Sequence, residues 1–156
     1  MILISHRGNL VGPNINMENH PEYIEAAIAS SYNCEIDLWT IKNELFLGHD
    51  IPQYKITIDF LINFKKSLWI HCKNLESLEY MIKINLNFTY FWHQTDDFTL
   101  TSNGYIWTFP GKNTCARSIL VNLNKPENVN NEFNKIAGIC SDYIAKFSSI
   151  EVNLLE

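Results

Sequence analysis

In ILISHRGN (residues 2–9), an unbroken apolar run leads directly into a histidine and an arginine. A short continuous run of this kind is typical of a strand that is covered on both faces. Two similar arrangements follow: CEIDLW (34–39) carries two carboxylates within an apolar strand pattern, and NELFLGHD (43–50) ends in a histidine and an aspartate. Polar side chains at the ends of three successive short strands favour one shared site.

Helical patterns separate several of these strands. The segments 20–31, 57–66 and 74–85 have apolar residues at helical spacing, and Thr57 and Asn74 are suitable caps. Between the last two helices, SLWIHCK (67–73) has the character of another strand. Alternation of strands and helices predicts parallel β/α units, because parallel neighbours need a crossover connection.

The second half of the chain continues the series of strands with fewer helices. Strands are predicted at 88–94, 104–110, 118–123 and 136–144, and a last helix is predicted to begin at Pro126 and Glu127. The chain has 156 residues, which suits one domain but is well short of the roughly 250 residues of a complete barrel. We therefore expect a single α/β domain over 1–156, a reduced or incomplete (β/α) TIM-type barrel with about seven mostly parallel strands, lacking helices in 94–117.

Composition narrows the classes of partner and compartment. The net charge of −5 offers no basic face for nucleic acid. No stretch approaches the 18 or so apolar residues of a membrane span, and the N-terminal apolar run is too short for a signal peptide. The four cysteines are widely separated, with no metal-type spacing, which favours reduced thiols and a cytoplasmic protein.

The two carboxylates of the second strand suggest a metal site. Glu35 and Asp37 are two residues apart, so they point to the same side of a strand, while Cys34, Ile36 and Leu38 point to the opposite, helix-facing side. Two inward carboxylates repel each other unless a cation lies between them. Mg²⁺ or Ca²⁺, which prefer oxygen ligands, are the expected ions.

The remaining charged residues suit a phosphodiester. His6 and His49 are candidates for general acid and general base, since imidazole titrates near neutral pH. Arg7 and Lys73 are candidates for binding the non-bridging oxygens of a phosphate. Together these residues predict metal-assisted cleavage of a phosphodiester, with the assignment of acid and base left open.

The motifs HRG (6–8), EN (18–19), E-I-D (35–37) and HD (49–50) resemble, in this order, those of the glycerophosphodiester phosphodiesterases, within the phosphatidylinositol-phospholipase-C-like barrel group. The resemblance implies that the two motif histidines act as acid and base, that the E-x-D carboxylates bind Ca²⁺ or Mg²⁺, and that the motif arginine contacts the phosphate. It further implies candidate supporting roles around the site for Glu18, Asn19 and Asp50.

The next strand departs from the family pattern. That strand carries a glutamate and a lysine two residues on in the family, and here His71 stands in the place of the glutamate while Lys73 matches the lysine. With His71 as the third metal ligand, Mn²⁺ or Zn²⁺ also become acceptable ions. Trp39 and Trp107 are expected to pack in the barrel and pocket, and their places at strand ends also suit the mouth of the site, against an alcohol or sugar group.

The expected function is that of a metal-dependent phosphoric diester hydrolase acting on a small glycerophosphodiester-like substrate. Two alternatives stay open. One is a barrel that binds a phosphate-bearing ligand without turnover, and the other is a lyase-type enzyme that releases a cyclic phosphate. The oligomeric state is also open.

Overall fold

Ten strands and four helices make up the regular structure in a computed structural model that describes residues 1–126, 133 and 135–152. In chain order they are β1 (Ile2–His6), α1 (Pro21–Ala29), β2 (Asn33–Ile41), β3 (Glu44–Leu47), β4 (Tyr54–Ile56), α2 (Ile58–Asn63), β5 (Leu68–Cys72), α3 (Leu75–Ile84), β6 (Thr89–Trp92), β7 (Phe98–Leu100), β8 (Ile106–Thr108), β9 (Ser118–Val121), β10 (Gly138–Ser141) and α4 (Ile144–Val152).

The predicted fold class, a reduced or incomplete (β/α) TIM-type barrel of about seven mostly parallel strands, is wrong. The strands form one mixed sheet that curls into a half-barrel, and only 23% of the structure is helical. Strands β3, β4 and β7 pair antiparallel to their neighbours. The physical reason lies in the connections: Lys42 and Asn43, with φ of 50° and 66°, form a tight turn that joins β2 directly to β3 without a helix.

The second half of the sheet is built from turns instead of helices. No helix lies within 94–117, as the lack of helical periodicity predicts. Strands β7 and β8 are joined by a turn in which the backbone N–H of Thr101 donates to the carbonyl oxygen of Tyr105 over 2.9 Å. The helix predicted to begin at Pro126 and Glu127 lies, from residue 127 to residue 132, outside the described residues.

Strand β1 lies in the middle of the sheet, parallel to β2 on one side and to β10 on the other. Strand β5 pairs parallel with the other edge of β2, in a register that sets Asp37 opposite His71. In the β1–β2 ladder, His6 is opposite Glu35. The predicted site residues of three strands therefore lie side by side at the carboxyl ends of those strands.

The first three helices begin where the sequence predicts, whereas α4 begins at Ile144, at the end of a segment (136–144) that was predicted as a strand. Thr57 accepts a hydrogen bond from the backbone N–H of Phe60, which caps α2. Asn74 and Ser77 form a reciprocal capping box at the start of α3, and Asn85 ends that helix in the left-handed conformation with φ of 41°. These caps fix the connections on either side of β5, which carries His71.

Buried apolar residues form three clusters, and two of them involve the strands that carry the site. Cys34, Ile36 and Leu38 face the helices in the larger cluster, which confirms the side predicted for them. On the concave side, a smaller cluster lies beneath the polar ends of the strands. Its members are Ile4, Trp69, Phe91, Trp107, Ile119, Val121 and Cys140. This cluster forms the floor on which the site rests, and the ring of His71 stacks on Phe91 with centroids 5.2 Å apart.

In the described part of the chain, the helices are too short or too polar for any of them to cross a lipid bilayer.

Candidate functional site

The structure brings together the three residues predicted to bind a metal. Carboxylate oxygens of Glu35 and Asp37 and a ring nitrogen of His71 lie within 4.8 Å of one another. Glu35 is 2% exposed and Asp37 is fully buried. Since alternate residues of a strand share a face, β2 supplies both carboxylates and β5 supplies the imidazole from the neighbouring position.

The two carboxyl groups differ in their electrostatic surroundings. Burial raises the pKa of Glu35, and the negative charge of Asp37 raises it further. Burial alone would also raise the pKa of Asp37, but the hydrogen bond from His71 and the charge of Arg7 hold it well below its usual range. Within the described chain, the Oε2 atom of Glu35 has no hydrogen-bond partner. A buried carboxylate oxygen without a partner is unfavourable, so this donor set fits a cation.

The connection between β1 and α1 holds Asp37 in place. Its Oδ2 lies 2.9 Å from the Nε of Arg7 and accepts a hydrogen bond from the Nδ2 of Asn19, also at 2.9 Å. The Oδ1 of Asn19 accepts from the backbone N–H of Asp37. Glu18 accepts from the Nη1 of Arg7 at 3.0 Å. The predicted supporting residues Glu18 and Asn19 thus orient the arginine and the carboxylate.

His71 is oriented by a backbone carbonyl. Its Nε2 lies 2.8 Å from the carbonyl oxygen of His93, which can only accept, so Nε2 carries a proton. The other nitrogen, Nδ1, lies 3.0 Å from Asp37 Oδ1 and 3.8 Å from Glu35 Oε1. A cation between these carboxylates would be bound by the lone pair of Nδ1, with the other N–H of the ring held by the backbone, as is typical of a metal-bound histidine. The Nζ of Lys73 lies 3.3 Å from the same Asp37 oxygen.

His6 is paired with a residue from the far end of the chain. Its Nδ1 lies 2.8 Å from Asp142 Oδ1, and Asn9 donates from Nδ2 to that oxygen at 2.7 Å. Burial would raise the pKa of Asp142, but the hydrogen bond with His6 lowers it overall, so the carboxylate accepts and Nδ1 donates. The Nε2 of His6 is then the basic nitrogen, 3.9 Å from Glu35 Oε2.

His49 lies at the rim, outside the metal cluster. Its side chain is 41% exposed, and its Nδ1 lies 2.8 Å from the carboxylate of Asp50. Burial lowers the pKa of His49, and nearby positive charges lower it further. The indole Nε1 of Trp39 donates to the carbonyl oxygen of Gly48 at 2.6 Å. The backbone N–H of Gly48 donates to the carbonyl oxygen of Asp37 at 3.1 Å. These two bonds tie the His49 loop to the strand that carries the carboxylates.

A cavity of about 360 Å³ opens above these groups. The predicted residues that line it are His6, Arg7, Glu35, His49, His71 and Lys73. Trp107 lines the cavity as predicted, whereas Trp39 does not, because its indole is used to hold the His49 loop. Asp50 points into solvent with its side chain 87% exposed.

Two residues of the polar network were missed from the sequence. Asp142 follows β10 just as His6 ends β1, and the adjacency of these parallel strands is what brings them together. The available signal in the sequence was an aspartate placed just after the last apolar run, as site residues also follow the apolar runs of other strands. Asn9 is fully buried, and its side chain bridges Asp142 to Glu18. In the sequence, an asparagine after a glycine is typical of a turn and does not indicate a site residue.

No family model matches the chain, and no curated protein or solved structure gives a significant match. The function is therefore argued from the site itself.

Proposed function

We propose that the chain is a metal-dependent phosphodiesterase that cleaves a small glycerophosphodiester-like substrate, akin in its site residues to the glycerophosphodiester phosphodiesterases. The observation that carries the proposal is the buried Oε2 of Glu35, which has no hydrogen-bond partner in the described part of the chain. The other carboxylate oxygen, Oε1, lies 3.8 Å from the Nδ1 of His71, and the cavity above is lined by three further histidines and two cationic side chains. The resemblance concerns these residues, and the half-barrel is not part of it.

Glu35, Asp37 and His71 would hold a divalent cation. Two oxygens and one nitrogen suit Mg²⁺ or Ca²⁺, and the imidazole also accepts Mn²⁺ or Zn²⁺. When bound, such an ion supplies Lewis-acid stabilisation of charge on the phosphoryl oxygens. Arg7 and Lys73 line the same cavity, so their side chains bind the phosphate and orient it towards the histidines.

The two histidines divide the proton transfers. His6 is held by Asp142 so that its Nε2 accepts or returns a proton, which is the arrangement of an oriented general base. His49, on its loop at the rim, acts on the other ester oxygen. One imidazole removes the proton of the attacking hydroxyl and the other protonates the leaving oxygen. Attack by a neighbouring hydroxyl of the substrate leads through a cyclic phosphate, which is either hydrolysed or released.

A second candidate is a protein that binds a phosphate-bearing ligand without turnover. This candidate is favoured by the ion pairs of Asp37 with Arg7 and Lys73. Because these two cationic side chains already balance the negative charge of Asp37, that carboxylate does not require a metal ion. We further propose a cytoplasmic location, since Cys34, Cys72 and Cys140 are buried free thiols, as is usual in a reducing compartment.

Turnover of glycerophosphodiesters, followed by phosphorus NMR with each of the four ions, tests the proposal. His6→Ala and His49→Ala should each lower turnover by at least about 10²-fold, because general acid–base catalysis contributes roughly 10²–10⁴. His20→Ala serves as the matched control, since His20 precedes α1 and does not line the cavity. The same spectra separate a hydrolysed product from a cyclic phosphate.

A drop of only about two- or threefold in either variant would contradict the acid–base assignment. Tight binding of glycerol phosphate without turnover, unchanged by His49→Ala, would instead favour the binding protein.

A further inference from the structure

The cavity above the site has two unlike walls. Besides the charged groups, most of the lining is apolar and comes from residues at or just beyond the ends of β6, β8 and β9, with His93 and Gln94 as polar residues among them. The apolar wall consists of Trp92, Trp107, Phe109, Pro110, Val121 and Leu123. Among the described residues that line the cavity, Glu35 is the one carboxylate, and it belongs to the charged side.

The outer part of the apolar wall has no role in the core. Trp107 and Val121 are 4% and 9% exposed and belong to the apolar floor beneath the site. Phe109 and Leu123, which lie just beyond the ends of β8 and β9, are 44% and 39% exposed. Large apolar side chains that converge on a polar cavity and stay exposed are a common mark of a ligand-binding surface.

A second cavity, of about 420 Å³, lies on the other side of Arg7 and His49, which line both spaces. Its lining includes the polar side chains of Glu18, Asp50 and Gln53 together with the exposed side chains of Ile15 and Ile51. A phosphodiester has two alcohol arms joined at one phosphate. From a phosphate beside Arg7, one arm can reach the second cavity and the other the apolar wall.

We infer that the substrate joins a polyol to an uncharged apolar alcohol, alkyl or aryl, and that the apolar arm lies against the apolar wall. The inference rests on the proposed phosphodiesterase function, which places the phosphate at Arg7 and Lys73. A cationic alcohol is disfavoured, because those two side chains are positively charged and the apolar wall offers no carboxylate to balance a third cation.

Binding of simple phosphodiesters tests the inference without requiring turnover. The probes are dimethyl phosphate, methyl butyl phosphate and methyl octyl phosphate, which have one negative charge and no hydroxyl that can attack phosphorus. Calorimetry should show affinity rising with chain length by up to roughly fourfold for each methylene that is fully buried. Methyl butyl phosphate should therefore bind at least about tenfold more tightly than dimethyl phosphate.

Phe109→Ala should reduce this gain by at least about fivefold, since it removes an aromatic side chain from the outer part of the apolar wall. Phe98→Ala is the matched control: Phe98 is similarly exposed, at 48%, but lies on β7 and does not line this cavity. It should leave the affinities unchanged. Because both phenylalanines are exposed, neither substitution is expected to prevent folding.

Equal affinity for the three esters, no binding of any of them, or a gain unaffected by Phe109→Ala would overturn the inference. A methyl ester of phosphocholine that binds as tightly as the butyl ester would also overturn it and assign the apolar wall to a quaternary ammonium group. Failure of the phosphodiesterase proposal looks different: the chain-length dependence persists, but no glycerophosphodiester is cleaved.

Discussion

The substitution Glu35→Gln removes one buried charge and leaves the shape of the side chain nearly unchanged. Glu35 is 2% exposed and its Oε2 has no hydrogen-bond partner in the described part of the chain. In EDTA the wild type should lose stability as the pH rises above the ordinary glutamate value of 4.5, because the pKa of the folded state is raised by burial and the unfolded chain releases its proton first. The glutamine variant should lack this decline.

Added cation should reverse the order of the two proteins. At a concentration a hundred times its dissociation constant, an ion stabilises the wild type by about 2.7 kcal/mol, or about 5–10 °C in the melting temperature of a domain of this size. Loss of one of three ligand side chains should weaken binding by at least about 100-fold, since even substitutions beyond the ligands cost 10–100-fold. The remaining stabilisation would then be about 0.4 kcal/mol, a shift of about 1 °C.

Thermal denaturation with Mg²⁺, Ca²⁺, Mn²⁺ or Zn²⁺ measures both effects. Glu79→Gln is the matched control, because Glu79 is an exposed carboxylate on α3 paired with Lys83 at 2.8 Å, and this variant should keep the full shift. An equal shift in wild type and Glu35→Gln would place the ion elsewhere. No shift of the wild type with any of the four ions would refute the metal site and favour the non-catalytic protein.

Three further predictions concern the histidines and their supports. Asp142→Asn should lower turnover by roughly 10²–10⁴-fold while leaving the metal-induced thermal shift intact, because an amide can donate to Nδ1 of His6 and reverse its tautomer; unaltered kinetics would contradict this positioning role. His49 should be half-protonated below pH 6.5 in an NMR titration, since burial and then positive charges lower its pKa, and a midpoint above 6.5 would show that these charges do not act on it. Gly48→Ala should destabilise the fold by about 1–3 kcal/mol and impair turnover, because φ is 151° and an added Cβ would lie 2.1 Å from the carbonyl oxygen of Ile51; a thermal melt identical to that of wild type would mean that the loop rearranges freely.

The sequence predicted the strands that carry the site better than the sheet they form. Alternation along CEIDLW correctly assigned Ile36 to the helix-facing side, and the two-residue spacing placed Glu35 and Asp37 on one face. This succeeds because strand periodicity is a local property of the backbone. Which strands pair with each other depends on residues far apart in the chain, so local periodicity does not predict it.

The fold class was mispredicted because short strands and turns have weak signals. Strands β4 and β7 are three residues long, and neither has an apolar run that separates it from a loop. The antiparallel direction of β3 depends on the two-residue turn at Lys42 and Asn43, which lacks the glycine that marks most such turns in a sequence. Without these elements, an alternating pattern is indistinguishable from a chain of parallel β/α units.

The contacts of the site that depend on sequence-distant residues were also beyond local reasoning. The bond between His6 and Asp142 spans 136 positions, and nothing near either residue specifies it. The Nε2 of His71 is bonded to the backbone carbonyl of His93, 22 positions away, and a backbone carbonyl leaves no residue signal in the sequence.

The pairing of β1 with β10 closes almost the whole described chain into one loop. Closing a loop of this length is entropically unfavourable, and such a contact forms late unless earlier structure brings its ends together. Glu35, Asp37 and His71, by contrast, lie on the adjacent strands β2 and β5. A chain that folds as it is synthesised can therefore bring Glu35, Asp37 and His71 together while Asp142 is still to be translated. The contact between His6 and Asp142 would form last, so the proposed acid–base chemistry would begin only when nearly all of the sheet is in place.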